Sequence, residues 1–205
     1  MKLTATTFIT IDGVYQAPGG PDEDRSDGFP HGGWAYPYDD KDFGAFMDGI
    51  FGQVDAFLLG RKTYDIFAAY WPKVTDPDNP IAGRLNSLPK YVPSSTLTSP
   101  EWAETRVLTG DLREEVTALK AQPGRELQVH GSGRLVGSLL TLGLVDTLHL
   151  LTFPVVLGTG KRLFPESALP SAFGLASSRP TSTGVVINTY ARTGEPTYGD
   201  FGAED

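Results

Sequence analysis

Apolar and polar positions along this chain switch repeatedly between two periods. "LTATTFITIDG", Leu3 to Gly13, alternates as a half-buried strand does. From Asp39 the period lengthens. Phe43, Phe46, Met47 and Ile50 fall at i, i+3, i+4 and i+7, one face of a helix. "VDAFLLG", Val54 to Gly60, is a continuous apolar run that predicts a buried strand, and "KTYDIFAAYW", Lys62 to Trp71, predicts a helix stopped by Pro72. Asp76 to Pro80 is polar turn material.

The second half repeats the scheme. "LPKYVPSS" (Leu88 to Ser95) and "TRVLTG" (Thr105 to Gly110) predict strands. Asp111 and Glu114 have capping-box spacing and open a helix over "LREEVTALKAQ", which Pro123 and Gly124 close. "RELQVHG" predicts a strand, "GRLVGSLLTLG" a helix ending at Gly143, and "VDTLHLLTFPVVLG" (Val145 to Gly158) a long strand. "FGLASSR" and "GVVINTYAR" predict a closing hairpin. Strands alternating with helices imply an α/β fold. Its sheet is mixed and mainly parallel, flanked by helices on both faces, with an antiparallel C-terminal hairpin. At 205 residues, with no internal repeat or low-complexity linker, the chain fits one domain over 1–205.

One segment escapes the alternation. Gln16 to Tyr38, "QAPGGPDEDRSDGFPHGGWAYPY", is rich in Gly, Pro, Asp and aromatics. Structureless loops of this length are commonly lids or binding loops, so Trp34, Tyr36 and Tyr38 are candidates to close over a ligand.

Composition narrows the function classes. There is no cysteine, which excludes disulfides, thiolate nucleophiles and Cys-based metal sites. A formal net charge of −8 is the opposite of a general nucleic-acid binder's field. No apolar run reaches the ~18 residues of a membrane span, and the N-terminus lacks signal-peptide regions, so a cytoplasmic location is expected. The three histidines show no metal-ligand spacing, so no metal site is expected.

Two turns carry the chemistry. In "VHGSGRL", a strand runs into Gly131-Ser132-Gly133 and a helix starts at once, with Arg134 in its first turn. Glycines permit close approach of backbone to ligand, and a helix N-terminus favours phosphate. A plain strand-to-helix turn is the alternative. The Rossmann fingerprint misfits, because Val136 stands where the third glycine belongs and no acid follows about twenty residues on. Ser132 has His130 and Arg134 where a nucleophile elbow needs glycines, and "GTGKR" has Arg162 where a P-loop needs Ser or Thr. The second turn is "LLGRKT", Leu58 to Thr63, with Arg61 and Lys62 at a helix start. In a parallel sheet both turns lie at the carboxyl edge, where ligands bind. Together they suit a nucleotide with several phosphates, and the Arg-Lys pair suits the extra phosphate of NADPH. A solvated surface doublet is the alternative. Asp12, which ends the first strand beside a glycine, is the best candidate acid, with a simple turn role as its alternative. A reaction that asks the protein for positioning and one proton fits these sparse residues, and hydride transfer is such a reaction.

The ordered set of a first strand ending in "DG", strand–"GRKT"–helix, a strand ending in "PSS", strand–"HGSGRL"–helix and "LTFPVVLGTGKRLFP" resembles the dihydrofolate-reductase-like superfamily. Within it the chain is most similar to the C-terminal reductase domain of the bifunctional riboflavin-biosynthesis deaminase/reductase, in stand-alone form. The resemblance runs from about Leu3 to Tyr190. It implies NADPH as hydride donor, a small-molecule substrate and a homodimer, with no nucleic-acid or membrane partner. Gly60, Arg61, Lys62 and Thr63 would meet phosphates, Ser94 and Ser95 would lie near the adenosine, and Gly131, Ser132, Gly133 and Arg134 would form the diphosphate turn. Asp12 would lie at the substrate side, orienting substrate or relaying a proton. The nominal reaction is reduction of 5-amino-6-(5-phosphoribosylamino)uracil. The family's D-G-K reads D-G-V here, with Val14 in place of lysine, which opens the alternatives of a pterin, folate or small carbonyl substrate. A nucleotide-binding dimer without turnover is the alternative from another class.

Overall fold

A computed structural model describes residues 1–164 and 169–202. Its strands are β1 (Lys2–Thr10), β2 (Val54–Leu58), β3 (Lys90–Pro93), β4 (Thr105–Leu108), β5 (Glu126–His130), β6 (Thr147–Phe153), β7 (Ala172–Pro180) and β8 (Val186–Gly194). Between them run the helices α1 (Lys41–Gln53), α2 (Arg61–Tyr70), α3 (Pro80–Ser87), α4 (Leu112–Lys120) and α5 (Gly133–Thr141). The strands form one sheet in the order β4-β3-β2-β5-β1-β6-β8-β7. The six from β4 to β6 are parallel, while β8 runs antiparallel to β6 and β7 antiparallel to β8. This is the mixed sheet with a terminal hairpin that the alternation predicts.

Each face of the sheet buries its own core. Met47, Ile50 and Phe51 of α1, Tyr64 of α2 and Leu85 of α3 pack on Val54, Phe57, Leu151 and Phe153. On the opposite face, Val116 and Leu119 of α4 and Leu135, Val136 and Leu139 of α5 cover Leu3, Ala5, Leu127 and Val129. Burial of that much aliphatic and aromatic surface is the main driving force for the fold.

Local chemistry sets the boundaries. Asp40 caps α1 by accepting from Phe43 N–H at 2.8 Å, and Asp111 caps α4 by accepting from Glu114 N–H at 3.1 Å. The return bond at α4 comes from Glu115, whose carboxylate accepts from Gly110 N–H, so the capping partner is one residue beyond Glu114. The helix α3 begins at the last residue of the expected Asp76 to Pro80 turn and runs through a stretch for which no element is expected. Its start is nonetheless written locally, because Asn79 accepts from Ala82 N–H at 2.9 Å and Pro80 takes the first helical position. The first strand stops at Thr10, so Asp12 lies in a turn closed by Gly13 N–H to Thr10 C=O at 2.9 Å. The long strand expected to reach Gly158 stops at Phe153, since Pro154 cannot donate to a ladder.

The 16–38 segment is structured by its own side chains. Gln16 is buried and donates to the carbonyls of Asp24 and Ser26. Trp34 Nε1 donates to Gln16 C=O at 2.7 Å, and its indole packs on Phe153 with ring centroids 5.2 Å apart. Trp34 is therefore a core residue in this conformation, which corrects its assignment to a lid surface. Tyr36, by contrast, is 80% exposed.

Candidate nucleotide-binding site

The two turns picked out by their sequence meet at the carboxyl edge of neighbouring strands β2 and β5. Gly60 is the N-cap of α2, and Ser132 is the N-cap of α5. Gly60 N–H donates to Ser132 Oγ at 2.9 Å, and Ser132 N–H donates to Thr63 Oγ1 at 3.2 Å. The reciprocal pair brings two helix N-termini side by side, each with unpaired backbone donors and a positive dipole end. Three residues make the approach possible. A Cβ on Gly60 would lie 3.3 Å from Ser132 Cβ, and Gly131 and Ser132 both hold left-handed backbone, at φ 60° and 54°. Glycine adopts that conformation freely, and serine at a higher cost.

The cations divide into two groups. Arg61 donates through Nε to Asp65, at 2.8 Å and 2.9 Å to its two oxygens, and through Nη1 to Thr96 Oγ1 at 3.0 Å. It is thereby aimed at the turn after β3, where Ser94 Oγ accepts from the backbone N–H groups of Thr96 and Leu97. Ser94 shapes that turn, Ser95 is exposed beside it, and Thr96, which the motif did not point to, is the residue that meets Arg61. Lys62 turns the other way, onto Asp24 of the 16–38 segment, with Nζ 2.5 Å from its carboxylate.

Asp24 also accepts from Lys161 Nζ at 2.9 Å and from Ser26 Oγ. Although it is nearly buried, these partners hold its carboxyl far below the usual carboxylate range, against the opposing cost of desolvation. Neither Asp24 nor Lys161 was evident in the sequence. "DEDR" reads as a solvated acidic run, and "GTGKR" signals only a failed P-loop.

A groove of about 690 Å³ opens beside this cluster, lined by Tyr15, Gly133, Arg134, Lys161, Arg162 and the outer side of α5. Arg134 in the first turn of α5 is exposed to it. Gly133 has a different purpose from its neighbour. A Cβ there would stand 2.5 Å from the ring of Tyr15, so this glycine seats an aromatic ring. Burial pushes the Tyr15 hydroxyl above its usual pKa.

Asp12 is tied down by several donors. Thr10 Oγ1 donates to it at 2.6 Å, the N–H groups of Leu157 and Gly158 at 3.3 Å and 2.9 Å, and Arg162 Nη2 at 3.1 Å. Led by the Thr10 bond, these donors outweigh desolvation and lower its pKa to about 2. A carboxylate so engaged is ionised near neutrality. Its work here is to fasten the β1 turn to the 157–162 segment. His130, at the end of β5, is enclosed by Phe8, Phe51 and Phe67, and burial lowers its pKa to about 4.

A doubly flanked, mainly parallel sheet closed by an antiparallel C-terminal hairpin is a dihydrofolate-reductase-like fold, and the fold comparisons agree. The chain superposes on dihydrofolate reductase from Enterococcus faecalis, solved with NADP(H) and RAB-propyl. The TM-score is 0.58 at 16% identity, covering 94% of this chain and 96% of that one. A pyrimidine reductase-like protein from Corynebacterium diphtheriae gives a TM-score of 0.61 at 16% identity, covering 93% and 91%. Within that class the chain belongs to the RibD C-terminal domain family, which it matches over residues 1–187. A putative riboflavin biosynthesis protein from Shewanella sp. PV-4 shares the fold at a TM-score of 0.67 with 25% identity, covering 94% and 99%. "Uncharacterized protein YyaP" of Bacillus subtilis (strain 168) is 31% identical over 191 residues, 92% of this chain and 94% of that protein. The membership supports a reductase. No helix among the described residues is long and apolar enough to cross a membrane.

Two outcomes test the geometry. Gly133→Ala should cost about 1–3 kcal/mol of folding stability through overpacking against Tyr15, and Tyr15→Ala in the same chain should remove most of that penalty. Urea unfolding of the four proteins in the cycle measures it, and an undiminished penalty without the ring would place the constraint in the backbone instead. Asp12 has a depressed folded pKa, so its stabilisation is present above its ordinary pKa of 3.8 and is lost as pH falls through about 2. Asp12→Asn should therefore lower stability by about 1–2 kcal/mol near neutrality and flatten the acid limb between about pH 4 and pH 2. An unchanged acid limb would show that the carboxylate carries none of this load.

Proposed function

We propose that this chain is an NADPH-dependent reductase that delivers hydride to a C=N or C=O carbon of a small substrate. The observation that carries the reading is the stitched pair of helix N-termini, at Gly60 and Ser132, with cations on either side. Such a seat suits a ligand with a diphosphate and a further phosphate some distance away. When bound, NADPH supplies the hydride. The chain supplies the rest: the first turns of α2 and α5 with Arg134 for the diphosphate, and Arg61 with Thr96 for the phosphate on the adenosine ribose. The proton that follows the hydride onto the substrate nitrogen or oxygen comes from water, and the chain's part is to bind and orient the reactants.

The substrate reading is shaped by Val14. Its side chain is fully buried in the core, and a Cβ on Gly160 would stand 2.8 Å from it. The position faces inward and offers nothing to a ribose phosphate. This favours a pterin, folate or small carbonyl compound over the phosphoribosylaminopyrimidine of riboflavin synthesis.

Arg61 is the test of the cofactor. One charge-assisted bond contributes roughly 1.5–3 kcal/mol, but Arg61 is exposed and shares its charge with Asp65, which lowers the expected gain. Arg61→Ala should weaken NADPH on the order of tenfold, about 1.4 kcal/mol, while barely changing NADH. Dissociation constants for both cofactors decide the matter, and equal losses would show that Arg61 does not read the extra phosphate.

A further inference from the structure

We propose that Lys62 and Lys161 form a phosphate seat, and that the Asp24 carboxylate is its internal occupant. Nucleotide binding and release of the 16–38 segment are then one competition. The inference rests on the nucleotide-binding reading above and deepens it. It adds Lys161 to the binding residues and gives Asp24 a regulatory position.

The cluster has the form of a bound anion. Asp24 is buried to nine-tenths and accepts from two ammonium groups that belong to distant parts of the chain, Lys62 in the first turn of α2 and Lys161 after the Gly158–Gly160 turn. Ser26 Oγ and Ser26 N–H complete its shell. Two ammonium groups, a hydroxyl and an amide around two oxygens match what a phosphate receives.

The location matters as much as the composition. Lys62 stands one residue beyond Arg61 at the stitched turns, and Lys161 lines the 690 Å³ groove together with Arg134 and Gly133. The ring of Tyr15 lies on Gly133 at the start of α5. Its hydroxyl is close enough to feel both Arg134 and Asp24, each of which bears on its titration. The segment that opens at Tyr15 therefore places a ring at one helix N-terminus and a carboxylate at the cations of the other.

The surrounding charges set the balance. Around Asp24 stand Lys62 and Lys161 as cations, with Asp27 4.0 Å from Lys161 and Glu23 close by. An entering phosphate brings more charge than a single carboxylate and gains both lysines once Asp24 leaves. Asp24 and the phosphate cannot both hold those lysines, because two anions sharing one pair of cations repel.

Titration calorimetry with NADPH and with inorganic pyrophosphate, on wild type, Asp24→Asn and Lys161→Gln, tests the competition. Asp24→Asn should bind both ligands about tenfold more tightly, and Lys161→Gln about tenfold more weakly. A second measurement uses the wild-type chain and so does not depend on how a variant folds. Arg25 is exposed in the same segment, and trypsin cleavage after it should speed up when NADPH is added. Unchanged or weaker binding by Asp24→Asn overturns the proposal, and so does protection of Arg25 by NADPH, which would mean that Asp24 closes over the nucleotide. If NADPH binds all three proteins equally, the cofactor reading stands and this inference falls. If NADPH and pyrophosphate bind none of them, both fall together.

Discussion

The candidate site depends on two hydrogen bonds between strand-to-helix turns that lie about seventy residues apart in sequence. Gly60 N–H to Ser132 Oγ and Ser132 N–H to Thr63 Oγ1 hold the starts of α2 and α5 together. Neither bond is strong alone, since a neutral hydrogen bond contributes roughly 1 kcal/mol net. Their value is geometric. Parallel pairing of β2 with β5 places both turns at one edge, and the reciprocal bonds fix their spacing. A backbone without side chain at Gly60 and left-handed backbone at Gly131 and Ser132 are the conditions for that contact.

An acidic chain with a cationic site has to control where its carboxylates lie. Here three of them are committed. Asp65 steers Arg61, Asp24 joins Lys62 to Lys161, and Asp12 fastens the loop whose other end carries Arg162. Each pairing orders a long, flexible side chain. The net charge of −8 thus says little about the local field at the sheet edge.

The fold was legible because its signals are local and repeated. Periodicity found β2, α2, β5 and α5, and the motif residues found the two turns that meet. What stayed hidden was long-range. Nothing in "DEDR" says that its second aspartate bridges lysines from two distant segments, and nothing beside Trp34 says that its indole fills a gap against Phe153 rather than covering a ligand. Gly133 reads as a phosphate glycine, and the ring it accommodates, Tyr15, lies far upstream. The missed helix α3 is different: its Asn-Pro start was written in the sequence, and the surrounding polar residues masked it.

The most direct measurement is a double-mutant cycle on NADPH affinity, with Ser132→Ala and Thr63→Val, separately and combined. If the two turns form one seat, each single change should weaken binding and the pair should be strongly non-additive, with a coupling of roughly 0.5–3 kcal/mol. Strictly additive effects, or an affinity indifferent to both changes in a folded protein, would contradict the account.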